Sequence, residues 1–286
     1  MYSKRQQHVR FTKMQGAGND YVYIDCFREQ VKDAGALAKK VSNRHFGIGS
    51  DGLVLIMPSE ECDFRMRMFN TDGSEAEMCG NASRCIGKYV YERGLTTKKD
   101  LTLETKAGVK HLQLFTAAGG KVDKVCVDMG EPVLDPAAIP VNKAGKSVVD
   151  EPFSVASRHF RITCVSMGNP HTVVFVEEKP DEEWMNLGYL IENHTLFPCR
   201  TNVEFVHVLS SEEMEMRVWE RGAGETLACG TGACAVLVAA VLNNLTKRKA
   251  LIRLPGGDLE VEWRGQDNRV YMTGNAEIVF DGEFYI

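Results

Sequence analysis

Two cysteines lie in nearly the same short sequence context, and their thiols are suited to proton transfer. Cys79 and Cys229 are each followed by a glycine and then by Asn81 or Thr231. In both places a predicted strand leads through a glycine-containing turn into the Cys-Gly-Asn or Cys-Gly-Thr segment, and a predicted helix starts directly after that segment. A helix N-terminus favours negative charge and lowers a thiol pKa from about 8.5 towards neutrality. The sequence therefore predicts two thiols that ionise near neutral pH.

The glycine after each cysteine predicts an anion site beside the thiol. Gly80 and Gly230 let backbone N–H groups approach a bound carboxylate closely. A base on one face of an amino acid then removes the α-proton while an acid on the other face delivers one, which inverts the carbon. Each N–H donor would stabilise the enolate-like charge by about 3 kcal/mol. The pattern predicts a racemase or epimerase that uses no cofactor and no metal.

The two cysteine segments belong to an internal repeat. Residues 69–81 and 219–231 align without gaps at an offset of 150. The same offset pairs Asn19 with Asn169 and Gly52 with Asn202. Three separate segments that keep one offset indicate two copies of one domain. Two-fold symmetry between the copies would bring both cysteine turns to one cleft from opposite sides.

Periodicity predicts a mixed α/β chain with helices over 34–43, 81–93, 181–193 and 233–245. Asp33 is the expected N-cap of the first helix, and Gly94 is expected just beyond the second. Strands are expected within 9–27, 53–69 and 101–129, and later over 160–166, 172–177, 203–209, 214–219, 250–254, 258–263, 269–274 and 276–280. The proline-rich segment 130–150 is expected to cross between two lobes. The predicted domains are 1–128, to which residues 275–286 return, and 129–274.

Composition excludes several classes of protein. The chain has 286 residues, 34 Lys plus Arg against 39 Asp plus Glu, and a net charge of −5. No basic run suggests nucleic acid or an anionic membrane as a partner. The longest apolar run has ten residues (233–242), half of the roughly 20 that a membrane span needs. Nine cysteines without a secretory signal favour free thiols in a reducing compartment, and residues 1–9 are interpreted as a loose terminus or a targeting remnant.

Four motifs together resemble the diaminopimelate epimerase family. They begin at Gly16 (GAGND), Met78 (MCGNASRC), Met167 (MGNPH) and Glu220 (ERGAGETLACGTG). The resemblance runs from about Phe11 to the end of the chain. It implies cofactor-free interconversion of LL- and meso-diaminopimelate, a diamino diacid, in lysine and cell-wall precursor synthesis. It also implies two lobes, each a curled mixed sheet around a central helix with the site between them, and a cytoplasmic homodimer.

The resemblance also assigns roles to residues. Cys79 and Cys229 would be the catalytic thiols, poised by His171 and Glu220. The groups that would hold the substrate are Asn19, Asn70, Gly80, Asn81, Asn169, Asn202, Glu220, Arg221, Gly230 and Thr231. The chain departs from the family in having Gly52 where glutamine is common and Ala82 where glycine is common. The first change removes a side chain that would contact substrate, and the second is expected to be neutral.

Other interpretations remain open from the sequence. A two-cysteine racemase for proline or hydroxyproline would carry histidine where this chain has Asn81. A metal-binding or thiol-redox protein would favour CxxC spacing, whereas Cys85 and Cys234 follow the two principal cysteines at longer spacing and fit a helix core. His171 alone is typical of a surface histidine, and the asparagines are typical of turns. Glu220 and Arg221 together would also fit a surface ion pair.

Overall fold

The computed structural model describes residues 8–286. Residues 1–7, to which most of the prediction for the N-terminus refers, lie outside the described residues. Residues 8–127 and 274–286 form one compact unit, unit 1, and residues 128–273 form a second, unit 2. Within the described range no helix has the length and apolar character of a membrane span.

Unit 1 is a mixed sheet with two helices. The helices are α1 (Ala34–Ser42) and α2 (Gly80–Glu92). The strands are β1 (His8–Gly16), β2 (Asn19–Asp25), β3 (Gly52–Met57), β4 (Phe64–Asn70), β5 (Glu75–Ala76), β6 (Asp100–Thr105), β7 (Gly108–Thr116), β8 (Val122–Gly130, mostly in this unit) and, from the end of the chain, β18 (Glu277–Tyr285). The main strand order is β18-β1-β2-β3-β4-β6-β7-β8, in which only the pairs β2–β3 and β4–β6 are parallel. The helix α2 packs against β1, β7 and β18, so the sheet curls around it.

Unit 2 repeats this arrangement. Its helices are α3 (Glu182–Glu192) and α4 (Gly230–Leu242). The strands are β9 (Glu151–Val155), β10 (Arg158–Ser166), β11 (Pro170–Val176), β12 (Asn202–Ser210), β13 (Glu213–Glu220), β14 (Gly224–Thr226), β15 (Lys249–Leu254), β16 (Gly257–Trp263) and β17 (Val270–Gly274). The order is β9-β10-β11-β12-β13-β15-β16-β17, with β11–β12 and β13–β15 parallel. The helix α4 packs against β10, β11, β12, β15 and β16.

The register of the strands preserves the offset seen in the sequence. Leu53 pairs with Phe69 between β3 and β4, and 150 residues later Val203 pairs with Trp219 between β12 and β13. Each sheet surrounds a central helix that begins directly after one of the two cysteines. The predicted mixed α/β fold with curled sheets around central helices is confirmed.

Local signals set several helix ends. Asp33 caps α1 by accepting a hydrogen bond from the Ala36 N–H at 2.9 Å, as predicted. Gly94 follows α2 with a φ of +71°, the left-handed conformation expected of a glycine there. At the start of α3, Asp181 accepts from the N–H groups of Glu183 and Trp184.

The predicted start of the last helix is wrong by three residues. The apolar run predicted a helix over 233–245, whereas α4 runs from Gly230 to Leu242. Its first turn, Gly230 to Gly232, carries no large apolar side chain, so periodicity gives no signal there. The expected strand region 53–69 is also divided, because β3 ends at Met57 and β4 begins at Phe64.

Candidate active site

Cys79 occupies the N-cap of α2. It follows the β4–β5 hairpin in extended conformation (φ −140°, ψ 122°), and its side chain does not cap the helix. The half-buried thiol donates to Asn19 Oδ1 at 3.4 Å. Asn81 in the first turn also donates to that oxygen, at 3.3 Å. The structure therefore groups Cys79, Asn19 and Asn81, three of the predicted site residues, within unit 1.

Two more residues of unit 1 frame this group. Asn70 closes β4, and its side chain donates to Ser74 Oγ at 3.0 Å across the hairpin turn. Gly52 pairs with Asn70 at the start of β3. A Cβ at Gly52 would lie 2.2 Å from Phe69 O and 2.9 Å from Tyr21 Cε1. Glutamine at position 52 is thus incompatible with this packing, because the Tyr21 ring and the neighbouring strand fill the space.

Cys229 occupies the N-cap of α4 in the same extended conformation (φ −126°, ψ 111°). Its side chain is buried, and Sγ lies 3.4 Å from Thr231 Oγ1. Gly232 lies against the thiol: a Cβ there would be 3.3 Å from Cys229 Sγ and 2.7 Å from Glu204 Oε1. Only glycine leaves room for both groups.

The predicted lowering of the thiol pKa is wrong for Cys229 in this structure. Burial and the nearby carboxylates of Glu220 and Glu204 raise the pKa of Cys229 well above its ordinary value, although its contacts with Thr231 and the Gly232 N–H act in the opposite direction. The helix N-terminus is present, but loss of hydration and two acidic neighbours outweigh it.

Glu220 lies at the end of β13, beside Cys229. Burial raises the pKa of this carboxyl group, while hydrogen bonds with Thr226 and Cys229 act to lower it. Both the thiol and the carboxyl group thus favour their neutral forms, first because burial disfavours a charge and then because Glu204 lies near both of them.

His171 is fully buried, so its interpretation as a surface histidine is wrong. It is the second residue of β11 and pairs in parallel register with Asn202 at the start of β12. Its Nδ1 lies 2.7 Å from Glu204 Oε1, and its Nε2 lies 3.0 Å from Asn169 Oδ1. Because a carboxylate only accepts hydrogen bonds, Nδ1 carries a proton, and Nε2 faces the Asn169 amide.

Glu204 was missed by sequence reasoning. It is fully buried on β12 between His171 and Gly232. A single acidic residue in the otherwise apolar stretch Val203 to Val206 is the signal that could have found it, since a buried carboxylate needs a partner.

Asn202 and Arg221 are joined through the backbone. The side chain of Asn202 donates to Pro170 O at 2.7 Å and accepts from the Arg221 N–H at 2.9 Å. The guanidinium of Arg221 donates to Cys199 O at 3.0 Å. Over residues 8–286 no ion pair links Glu220 to Arg221, so the surface-pair interpretation is wrong.

A buried carboxylate anchors the loop that carries these residues. Glu192 at the end of α3 accepts from Trp219 Nε1 at 2.8 Å and from the Gly222 N–H at 2.9 Å. Both ends of the Glu220–Arg221 dipeptide are therefore fixed to one helix. The first turn of α4 completes the group with Gly230 and Thr231, whose N–H groups belong to the helix N-terminus.

The surroundings of the two thiols differ in charge. Cys79 contacts the neutral amide of Asn19, whereas Cys229 lies near the carboxyl groups of Glu220 and Glu204. In the described part of the chain, no group of three or more His, Cys, Asp or Glu side chains is arranged to hold a metal ion.

Sequence comparison identifies the family. The profile of the diaminopimelate epimerase family matches residues 11–134 and 163–279. The chain belongs to the diaminopimelate epimerase family. It is 59% identical over 275 residues to the diaminopimelate epimerase of Acetivibrio thermocellus, covering 96% of this chain and 98% of that protein. The enzyme of the same name from Desulfovibrio desulfuricans is 56% identical over 284 residues, covering 97% and 99%.

Solved structures of low sequence identity share the fold of this diaminopimelate epimerase family member. A hydroxyproline epimerase from Agrobacterium vitis matches with a TM-score of 0.70 and 15% identity, over 100% of this chain and 94% of that one. A PhzF-family phenazine biosynthesis protein from Bacillus anthracis matches with a TM-score of 0.71 and 18% identity, over 98% and 100%. At these identities the likeness concerns the fold alone.

Proposed function

We propose that the protein interconverts LL- and meso-diaminopimelate as an isomerase of lysine and cell-wall precursor synthesis. The observation that carries the proposal is the family match over most of the chain, with relatives named diaminopimelate epimerase at 59% and 56% identity. The local geometry supports it, since each cysteine lies at the N-terminus of a buried central helix.

The proposed mechanism moves two protons between thiols and one α-carbon. Glu220 accepts the proton of Cys229, and the resulting thiolate removes the α-proton of the substrate. Cys79, present as a thiol, delivers its proton to the opposite face of the carbanion, which inverts the carbon. In the reverse direction the two cysteines exchange roles, and Cys79 is the base. His171 is held by a hydrogen bond with Glu204, and its electrostatic interaction with Glu220 acts to lower the pKa of that carboxyl group.

The substrate would be held by hydrogen-bond donors and acceptors around the two helix starts. The N–H groups of the first turns would bind the carboxylate at the reacting centre and stabilise its developing charge. We assign this role to Gly80, Asn81, Gly230 and Thr231. The remaining amide and charged side chains would hold the ammonium groups and the distal carboxylate: Asn19, Asn70, Asn169, Asn202, Glu220 and Arg221.

The organisation of the chain is part of the proposal. We propose that residues 1–128 with 275–286 and residues 129–274 are the two domains of a cytoplasmic homodimer that requires neither cofactor nor metal. Sedimentation equilibrium of the purified protein tests the dimer, and a mass of one chain at micromolar concentration would contradict it.

Isotope exchange tests the reaction directly. The enzyme, dialysed against a chelator and a carbonyl reagent, is incubated in deuterium oxide with LL-diaminopimelate. We expect deuterium at one α-carbon together with formation of the meso isomer. L-Proline and trans-4-hydroxy-L-proline serve as controls, and exchange into them without exchange into diaminopimelate would assign the protein to another racemase activity.

A further inference from the structure

A network of charged side chains lies beside Asn19 and includes none of the predicted site residues. Arg44 Nη2 lies 2.7 Å from Asp20 Oδ1 and 2.8 Å from Asp51 Oδ1. The buried ammonium of Lys13 also pairs with Asp20 and donates to Gly49 O. The two cations hold the two carboxylates in place at the beginning of β2 and just before β3. Lys13, Asp20, Arg44 and Asp51 together form the Asp51 network.

The Asp51 network reaches the site through one amide. Asp51 Oδ2 accepts from Asn19 Nδ2 at 2.8 Å and from the Asp20 N–H at 3.1 Å. The backbone of Asp51 is fixed as well, because its N–H donates to Asp20 O at 2.7 Å. A carboxylate has only acceptors, so it selects the NH₂ end of the asparagine. The amide oxygen of Asn19 therefore points the other way, towards Cys79 and Asn81.

We propose that Asp51 is a positioning residue that fixes the Asn19 amide so that its carbonyl oxygen faces Cys79. A carbonyl oxygen accepts a hydrogen bond from S–H but repels a thiolate, whereas an amide N–H would stabilise the thiolate. Asp51 thus keeps Cys79 in the proton-donating thiol form. The inference deepens the proposed function, because it assigns to Asp51 the state in which Cys79 delivers a proton.

The arrangement is specific to unit 1. The offset of 150 pairs Asp51 with Thr201, whose hydroxyl contacts Thr172 and Asn202 O and has no negative charge. In unit 2 the carboxylates Glu204 and Glu220 act beside Cys229 itself. Cys229 therefore lies near two acidic groups, whereas Cys79 contacts the Asn19 amide, whose orientation is fixed by the carboxylate of Asp51.

The other ionisable neighbours of Cys79 keep one charge state over the pH range of a test. Tyr23 on β2 and Cys85 in α2 both interact electrostatically with Cys79. Burial raises the pKa of Tyr23 well above its ordinary value and that of Cys85 to about 11. Both are neutral between pH 6 and 9, and the pKa of the Arg44 guanidinium is raised by its hydrogen bond with Asp20.

A double-mutant cycle read at Cys79 tests the proposal. The rate of Cys79 alkylation by iodoacetamide is measured from pH 6 to 9 by mass spectrometry of its peptide, in the wild type, D51A, N19A and the double variant. D51A frees the Asn19 amide to turn, so we expect the apparent pKa of Cys79 to fall and alkylation at pH 7 to accelerate at least threefold. In the N19A background, D51A should change the rate by less than half of that factor, because the amide it acts through is gone.

The cycle separates orientation from simple charge. If D51A acted only by removing a negative charge, it would lower the apparent pKa of Cys79 equally in the wild-type and N19A backgrounds. That result would overturn the proposal, and so would an unchanged pKa of Cys79 in D51A. D63N is the matched control: Asp63 also accepts from a backbone N–H, that of Thr102, and pairs with Lys98, but it does not contact Asn19. D63N should leave the alkylation profile of Cys79 unchanged.

Steady-state kinetics tests whether the change in the Cys79 pKa affects the proposed reaction. In the direction in which Cys79 delivers the proton, the alkaline limb of the kcat profile should move in D51A by the same amount as the alkylation profile. If the wild type fails to epimerise diaminopimelate, the proposed function fails, yet the alkylation cycle still decides the role of Asp51.

Discussion

At the scale of single residues, the two thiols have equivalent backbone positions and different chemical neighbours. Cys79 and Cys229 share the N-cap conformation, which the sequence repeat predicts. The side chain of Cys79 contacts Asn19 on β2, whereas Cys229 lies near the carboxyl groups of Glu204 on β12 and Glu220 on β13, which raise its pKa. The two halves of a two-base reaction are thus expected to respond differently to mutation and to pH.

Serine substitutions test the division of labour between the cysteines. C79S and C229S replace a thiol with a hydroxyl that does not ionise near neutral pH, so epimerisation should fall by at least a factor of about 1,000. Elimination from an analogue with a leaving group at the β-carbon needs only the abstracting base. Each variant should therefore eliminate with one stereoisomer and not with the other, as followed by keto-acid formation. C126S is the control, and equal elimination of both isomers by both variants would contradict the assignment.

Removal of the Glu220 charge tests the pKa of Cys229. The carboxylate of Glu220 is one cause of the raised pKa, so E220Q should lower the pKa of Cys229 and speed its alkylation at pH 8. Epimerisation should nevertheless fall, because the proposed acceptor of the thiol proton is gone. The paired measurement is the pH profile of Cys229 alkylation and kcat. E225Q, on the same hairpin but bonded to Arg217, should change neither, and slower alkylation in E220Q would contradict the interpretation.

Local and distant signals explain what could be predicted at this scale. The positions of the two cysteines, Asn81 and Thr231 near a helix start could be predicted from the residues next to them in the sequence. Glu204 lies 33 residues from His171, its hydrogen-bond partner, and no spacing rule links them. The same limit explains the error in the Cys229 pKa, because helix position is local whereas burial and acidic neighbours arise only in the folded unit.

At the scale of elements, the packing of the first turn of α4 restricts which residue can follow Thr231. Gly232 is a helical residue without a side chain, pressed between Cys229 and Glu204. The equivalent position in α2 is the buried Ala82, where an additional methyl group is accommodated. The two central helices therefore differ at their third residue because only one of them packs against a buried carboxylate.

A G232A variant should separate activity from stability. The new Cβ would lie 2.7 Å from Glu204 Oε1, so this oxygen must shift, which disturbs its hydrogen bond with His171 Nδ1. We expect kcat to fall at least tenfold. Alanine favours helix over glycine by about 1 kcal/mol, which offsets part of the strain in the free energy of unfolding. Urea denaturation and steady-state kinetics measure the two effects.

The mirror-image variant A82G is the control for G232A. It should lose about 1 kcal/mol of stability through the lower helix propensity of glycine and keep kcat within twofold. Unchanged kcat in G232A would show that the Glu204–His171 contact tolerates displacement, and would remove its proposed role.

Prediction of the elements succeeded where capping residues mark the ends. Asp33 and Gly94 are placed by side-chain and backbone hydrogen bonding within a few residues, so the sequence suffices. The start of α4 at Gly230 depends on Cys229 in the N-cap and on the surrounding sheet, and the glycines after it obscure the pattern.

At the scale of the whole molecule, several buried thiols link stability to pH. Burial raises the pKa of Cys85 to about 11 and of Cys164 to about 12, and it raises that of Cys229 as well. Such groups stay protonated in the folded chain after they have ionised in the unfolded chain. Their contribution is therefore complete below the unfolded pKa of about 8.5 and is lost as pH rises towards the folded values.

We accordingly expect the reduced protein to lose stability steeply above about pH 9. Each thiol that ionises only on unfolding adds a slope of about 1.4 kcal/mol per pH unit. C164A should reduce this slope, whereas V174A, a buried change in the same apolar cluster, should lower stability equally at every pH. Urea denaturation at pH 7 to 10.5 with a phosphine reductant provides the measurement. A pH-independent free energy of unfolding would contradict the assignment of these thiols to low-dielectric surroundings.

The pairing of β1 with β18 has a consequence for biosynthesis. Residues 8–16 of β1 pair with a strand at positions 277–285, whereas unit 2 is continuous in the chain. At about 5–20 residues per second, the ribosome takes roughly 13 to 52 s to make the residues between β1 and β18. The sheet of unit 1 is thus completed only after unit 2 has been translated. One edge of β1 stays without its β18 partner while unit 2 is made. A nascent chain in this state offers an open strand to chaperones or to neighbouring chains on a polysome.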